Sequence, residues 1–221
     1  MLHSGVGDER EWDGVRPLLE REHGVVTPTL WQEKTLVDIV LDAIPGERAA
    51  LVGTSLGGRA VLEAATAAPA RVSHVVLINT NPFGWSDEVK ARGARETALY
   101  EAGDLDAAAR LMVDTWLVGP QRQPDDVPLA LRELVFEMQR RAYDLPEARG
   151  GTFDLDAISA PVLYVRGELD WPDVEAASRR FPLVQAISGT AHLPVLERPG
   201  EVAEIVLEFL GEGRSTRGGR P

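Results

Sequence analysis

The stretch Gly53-Thr54-Ser55-Leu56-Gly57 constrains this chain more than any other. A serine spaced two residues from a glycine on either side is the sequence form of a sharp strand-to-helix turn, which holds the hydroxyl out at the top of a sheet. The turn leaves room only for small residues at those two positions, and glycine has no Cβ to obstruct it. A plain glycine-rich turn with a serine helix cap would give the same five letters, so the flanks decide. Residues 48–52 read as a short buried strand. Residues 59–68 read as an alanine-rich helix that stops before Pro69. Ser55 therefore stands where a nucleophile toward acyl carbons is needed.

The rest of the chain alternates in the same way. Val25-Val26-Thr27-Pro28 reads as a weak strand, followed by an amphipathic helix over 33–43. Residues 72–79 and 161–166 read as strands, 183–187 as a further one, and 200–210 as the last helix, with Pro199 suited to its first turn. Such alternation predicts an α/β fold, a mainly parallel sheet flanked by helices. Residues 83–151 break the pattern. Three helices, 86–101, 104–118 and 126–145, follow one another without strands, with Asp104 and Asp126 as candidate N-caps. This predicts a helical lid inserted into a core formed by 1–82 and 152–210. Trp85, Leu111, Met112, Trp116, Phe136, Met138 and Tyr143 are expected on the lid's inner face, and 211–221 are expected to be a disordered tail.

A serine hydroxyl needs a histidine to take its proton and a carboxylate to orient that histidine. Of the four histidines, His192 alone comes late, in the loop Ser188-Gly189-Thr190-Ala191-His192-Leu193-Pro194. His3 and His23 precede the serine, and His74 lies inside a strand. The acid is expected after an earlier strand. Gly167-Glu168-Leu169-Asp170 follows 161–166 directly, so Asp170 is the candidate, with Glu168 and Asp173 as fallbacks. Asn79-Thr80-Asn81, at the end of the preceding strand, holds no acid. Anion stabilisation needs two donors. The Leu56 N–H is one candidate. The other is the Gly5 N–H, from the only glycine-rich loop upstream of Ser55, with His3 supporting that loop rather than moving protons.

A length of 221 residues allows one large domain with an insertion. The absence of cysteine excludes disulfides, thiolate metal sites and cysteine nucleophiles. No metal and no cofactor are expected. The net charge of −12 disfavours nucleic acid as a partner. No run is long enough to span a bilayer and no secretion leader is visible, so a cytoplasmic location is expected, with no membrane partner and room for a homodimer.

With these motifs in place, the chain resembles the α/β-hydrolase superfamily from Leu2 to about Leu210. Leu2-His3-Ser4-Gly5, Gly53 to Gly58, Gly167 to Asp170 and Gly189 through Pro199 carry the likeness. Within the superfamily it is most similar to 3-oxoadipate enol-lactonase-like hydrolases, through Trp116-Leu117-Val118-Gly119-Pro120 and Leu131 to Val135. The resemblance implies the α/β-hydrolase fold and a cofactor-free hydrolase acting on a small ester or lactone. C–C bond hydrolysis, thioester hydrolysis and acyl transfer are alternatives on the same site, and a ligand-binding protein with little turnover is an alternative of another class. Two departures stand out. By the resemblance, Met1-Leu2 corresponds to the very end of a central strand, so the family's N-terminal strands are expected to be missing from this sequence. The loop after the family's fourth strand is replaced by Pro28-Thr29-Leu30-Trp31-Gln32. Trp31 is expected to fill that side of the pocket, with Trp85 and Trp116 as further substrate-binding candidates.

Overall fold

Four short runs rich in valine, leucine, isoleucine and alanine form strands: β1 (Ala49–Thr54), β2 (Val72–Ile78), β3 (Val162–Gly167) and β4 (Val184–Ile187). In this computed structural model, which describes residues 1–215 and side chains through 211, the four strands form one parallel sheet in the order β1-β2-β3-β4. The helices are α1 (Arg16–Leu19), α2 (Leu36–Asp42), α3 (Leu56–Ala67), α4 (Asp87–Glu101), α5 (Leu105–Met112), α6 (Leu129–Ala142), α7 (Pro172–Ser178), α8 (Pro194–Glu197) and α9 (Pro199–Ser215).

Alternate strand residues feed two separate cores. Leu51, Val75, Leu77 and Tyr164 pack with Leu36, Ile39 and Val40 of α2 and with Val61 and Ala64 of α3. Their neighbours Val52, Val76, Leu163 and Val165 face the other way, onto Trp12, Val15 and α9 residues Val202 and Val206. Each large aliphatic side chain buried this way contributes about 1.5–3 kcal/mol. Sandwiched between two helical layers, the sheet has no solvated face along its central strands, which is why they read as near-continuous apolar runs.

The strand expected at 25–28 does not form. Those residues lie outside every strand, and the Met1 amino group donates to Val26 O at 2.6 Å. A strand needs a ladder partner, and only Leu2 pairs beside β1. It bridges Gly53 in parallel, with Leu2 N–H donating to Val52 O at 2.8 Å and Thr54 N–H to Leu2 O at 3.0 Å.

Between β2 and β3 run α4, α5 and α6. The Asp104 side chain caps α5 by accepting from Ala107 N–H at 3.2 Å. Asp126 does not cap α6 but takes part in the capping box of a 3-10 helix before it, Pro124–Asp126. It closes a short 3-10 turn by accepting from Gln123 N–H at 2.8 Å, and α6 starts after Pro128. Beyond α5 the chain widens into a π-helix over Val113–Val118. Met112, Leu117, Val135 and Met138 form a third core with Val6 and Leu193, so these helices pack onto the loops at the strand ends. Met138 lies within this third core and Leu111 and Phe136 pack against it, and none of the three lines the cavity that Ser55 borders.

Residues 211–215 are helical where a disordered tail is expected. α9 continues through Ser215, past Leu210, and 216–221 lie outside the described residues. Gly211 and Gly213 lower helix propensity by about 1 kcal/mol each without breaking the hydrogen-bond ladder.

Candidate active site

Ser55 sits between β1 and α3 with φ 50°, an uncommon conformation for a residue bearing a Cβ. Ser55 N–H donates to Ile78 O at 2.9 Å, tying the turn to the end of β2. The two glycines have physical reasons. A Cβ on Gly53 would lie 2.3 Å from Gly57 O, and one on Gly57 would lie 2.3 Å from Leu2 O. The first contact would be with the entry of α3 and the second with the segment leading to His3.

His192 is 1% exposed, and its Nδ1 lies 2.7 Å from Asp170 Oδ2. A carboxylate can only accept, so Nδ1 carries the proton and Nε2 carries the lone pair. Asp170 Oδ1 accepts from Trp171 N–H at 2.7 Å, so both carboxylate oxygens are engaged. His192 Nε2 has no hydrogen-bond partner, and the Ser55 hydroxyl is not bonded to it in this structure. Both residues line one cavity of about 580 Å³. Of the fallback acids, Glu168 is exposed, and Asp173 accepts from Ser86 N–H and Oγ–H instead.

The Leu56 N–H opens α3 and has no acceptor within its own helix. Gly5 lies against it, since a Cβ built there would be 3.7 Å from Leu56 Cβ. His3 is fully buried. Its Nε2 accepts from Leu30 N–H at 2.8 Å, so its Nδ1 donates to Ser4 O, also at 2.8 Å. Burial lowers its pKa, which fits a neutral ring that clamps the loop.

Trp31, Trp85 and Trp116 lie on the wall of the same cavity, as do Met112 and Tyr143. Trp31 is fixed by its indole N–H, which donates to Gly7 O at 3.0 Å. The rings of Trp116 and His192 are 4.4 Å apart. A larger cleft of about 920 Å³ lies near the start of β1 and contains none of the candidate triad.

Three supports escaped sequence reasoning. Asn79, at φ 46°, donates to Ala191 O at 2.8 Å and accepts from Gly167 N–H at 2.9 Å, stitching the His192 loop to β2 and β3. Arg122 and Glu197 form a part-buried ion pair at 2.5 Å, and Glu197 also accepts from Ala191 N–H at 3.0 Å. The third is Glu11, buried beneath the Gly5 loop, where its Oε2 accepts from Ser4 N–H at 2.9 Å and Ser4 Oγ–H at 2.6 Å. An acid beside a buried tryptophan in a short turn carries no local signal for this pairing.

Burial pushes the Glu11 carboxyl up to about 7, against the Ser4 hydrogen bonds that favour its ionised form. The unfolded chain ionises this group at a lower pH. Glu11 therefore contributes its full stability below about pH 4.5 and loses it as pH rises to about 7, a cost on the order of 3 kcal/mol. Glu11→Gln keeps an acceptor for Ser4 and removes the charge. Thermal unfolding at pH 5 and pH 8 should show a variant several degrees more stable than wild type at pH 8 only; equal gains at both pH values would refute this.

The alpha/beta hydrolase family profile matches residues 1–205. Esterase Rv0045c of Mycobacterium tuberculosis is 28% identical over 93% of this chain and 80% of its own length. Carboxylesterase CesB of Bacillus subtilis superposes with a TM-score of 0.70 at 21% identity, covering 95% of this chain and 81% of that one. The enol-lactonase of Burkholderia xenovorans gives 0.71 at 18% identity, covering 95% and 90%. Likeness at these identities establishes the shared fold, on which different chemistries are built. Among the described residues no helix is long and apolar enough to cross a membrane, and no cluster of metal-ligating side chains occurs.

Proposed function

Because the chain belongs to the alpha/beta hydrolase family, we propose that it is a cofactor-free serine hydrolase that cleaves a small carboxylic ester through Ser55, His192 and Asp170. The observation that carries this reading is the buried contact of 2.7 Å between His192 Nδ1 and Asp170, which leaves Nε2 free on the cavity that Ser55 also lines. The ester carbonyl oxygen lies against the Leu56 and Gly5 amides. His192 Nε2 takes the Ser55 proton as the hydroxyl oxygen attacks. The tetrahedral intermediate then expels the alcohol, which His192 protonates, leaving an acyl-serine. Water, deprotonated by the same nitrogen, releases the acid. Each amide donor is worth about 3 kcal/mol in the barrier. Apo hydrogen bonds in such sites are often long and close only around substrate, which fits the open Ser55–His192 pair.

Of the small ester or lactone that the resemblance implies, the relative named an esterase supports the ester. The protein should hydrolyse p-nitrophenyl acetate and become labelled at Ser55 by a fluorophosphonate probe. Hydrolysis without labelling would move the nucleophile elsewhere. Absence of both would favour a binding protein that uses the same cavity.

A further inference from the structure

The cavity that holds Ser55 has a one-sided charge. Two acids, Glu96 and Glu147, lie on its wall, and no Lys or Arg does. Neither acid has a cationic partner at salt-bridge distance among the described residues. Glu96 accepts from the Tyr143 hydroxyl at 2.8 Å, and burial together with this carboxylate keeps the phenol protonated. Gln139, 5% exposed and on the same wall, has a side-chain oxygen with no hydrogen-bond partner. The remaining large surfaces are aromatic: the Tyr100 and Tyr143 rings lie 5.3 Å apart, and Trp85 and Trp116 lie 5.1 Å apart.

Aromatic faces attract cations through their quadrupole, and unpaired carboxylates add a full charge to that attraction. The same wall repels a carboxylate and offers it no Lys or Arg. The net charge of −12 steers ligands in the same sense. We propose that the part of the substrate remote from the scissile ester carries an ammonium-type cation, held by Glu96, Glu147 and the aromatic wall. This rests on the esterase reading of the cavity, and it runs against substrates that keep a free carboxylate.

The test uses p-nitrophenyl esters with acyl chains of equal length ending in trimethylammonium, tert-butyl or carboxylate. At low salt kcat/KM should fall in that order, with at least about a tenfold gap between cation and anion, and the gap should narrow as salt screens the wall. Glu96→Gln combined with Glu147→Gln should collapse the cation-to-anion ratio toward unity. A carboxylate ester cleaved as fast as the ammonium ester would overturn the proposal while leaving the esterase reading intact. If no ester is turned over, that reading fails separately. Charge preference is then read by tryptophan fluorescence on Ser55→Ala titrated with butyltrimethylammonium or pentanoate. Equal affinities there would also overturn the proposal.

Discussion

Ser55→Ala should lower turnover of a simple ester by roughly 10⁵-fold or more, with its thermal midpoint unchanged. Both halves follow from the turn. Among the described residues the hydroxyl has no hydrogen-bond partner to lose, and alanine fits wherever serine holds φ 50°. In the proposed mechanism, by contrast, chemistry loses the atom that forms the acyl intermediate. His192→Ala should fall nearly as far, because a serine without a base is scarcely nucleophilic at neutral pH. Groups that act as one unit are not additive, so the double variant Ser55→Ala/His192→Ala should be no slower than the slower single variant. A Ser55→Ala protein that keeps a tenth of wild-type turnover would remove Ser55 from the chemistry.

The second large effect is expected at Asp170. In Asp170→Asn the oxygen facing Trp171 N–H must remain the acceptor, because that donor is buried and sits at 2.7 Å. The amide NH2 is then forced toward His192 Nδ1. That contact demands a lone pair on Nδ1 and shifts the ring proton to Nε2, where it blocks acceptance from Ser55. The loss in kcat should be about 10⁴-fold at little cost in fold. Glu168→Gln and Asp173→Asn should stay within a few-fold of wild type, since one side chain is solvated and the other bonds Ser86. Steady-state kinetics on the three variants discriminates among the acids. An Asp170→Asn enzyme within tenfold of wild type would sink the assignment.

These residues were legible in sequence because their signals are local. Gly53 and Gly57 mark a turn that only small residues can make, and Asp170 and His192 each follow a readable strand. What was not legible depends on partners distant in the chain. Arg122 meets Glu197, and Asn79 meets Ala191, through a fold that no window of sequence contains. Val25 to Pro28 failed in the opposite sense. Its composition suits a strand, but strand propensity has no meaning without a neighbour to pair with. Asp126 caps the short 3-10 helix before α6 and not α6 itself, because a side chain that can cap one helix can equally close the turn ahead of it.

His192 is held from the inserted helices as well as from the sheet. Its backbone N–H donates to Trp116 O at 3.2 Å, and the neighbouring Thr115 O accepts from the Trp171 indole at 2.9 Å. The widened helical turn thus grips the segments that carry His192 and Asp170. Exchanging the insertion for a relative's to alter selectivity would therefore also re-aim the imidazole, so grafted chimaeras should inherit their donor's turnover rate along with its substrate range unless Val113–Val118 is retained.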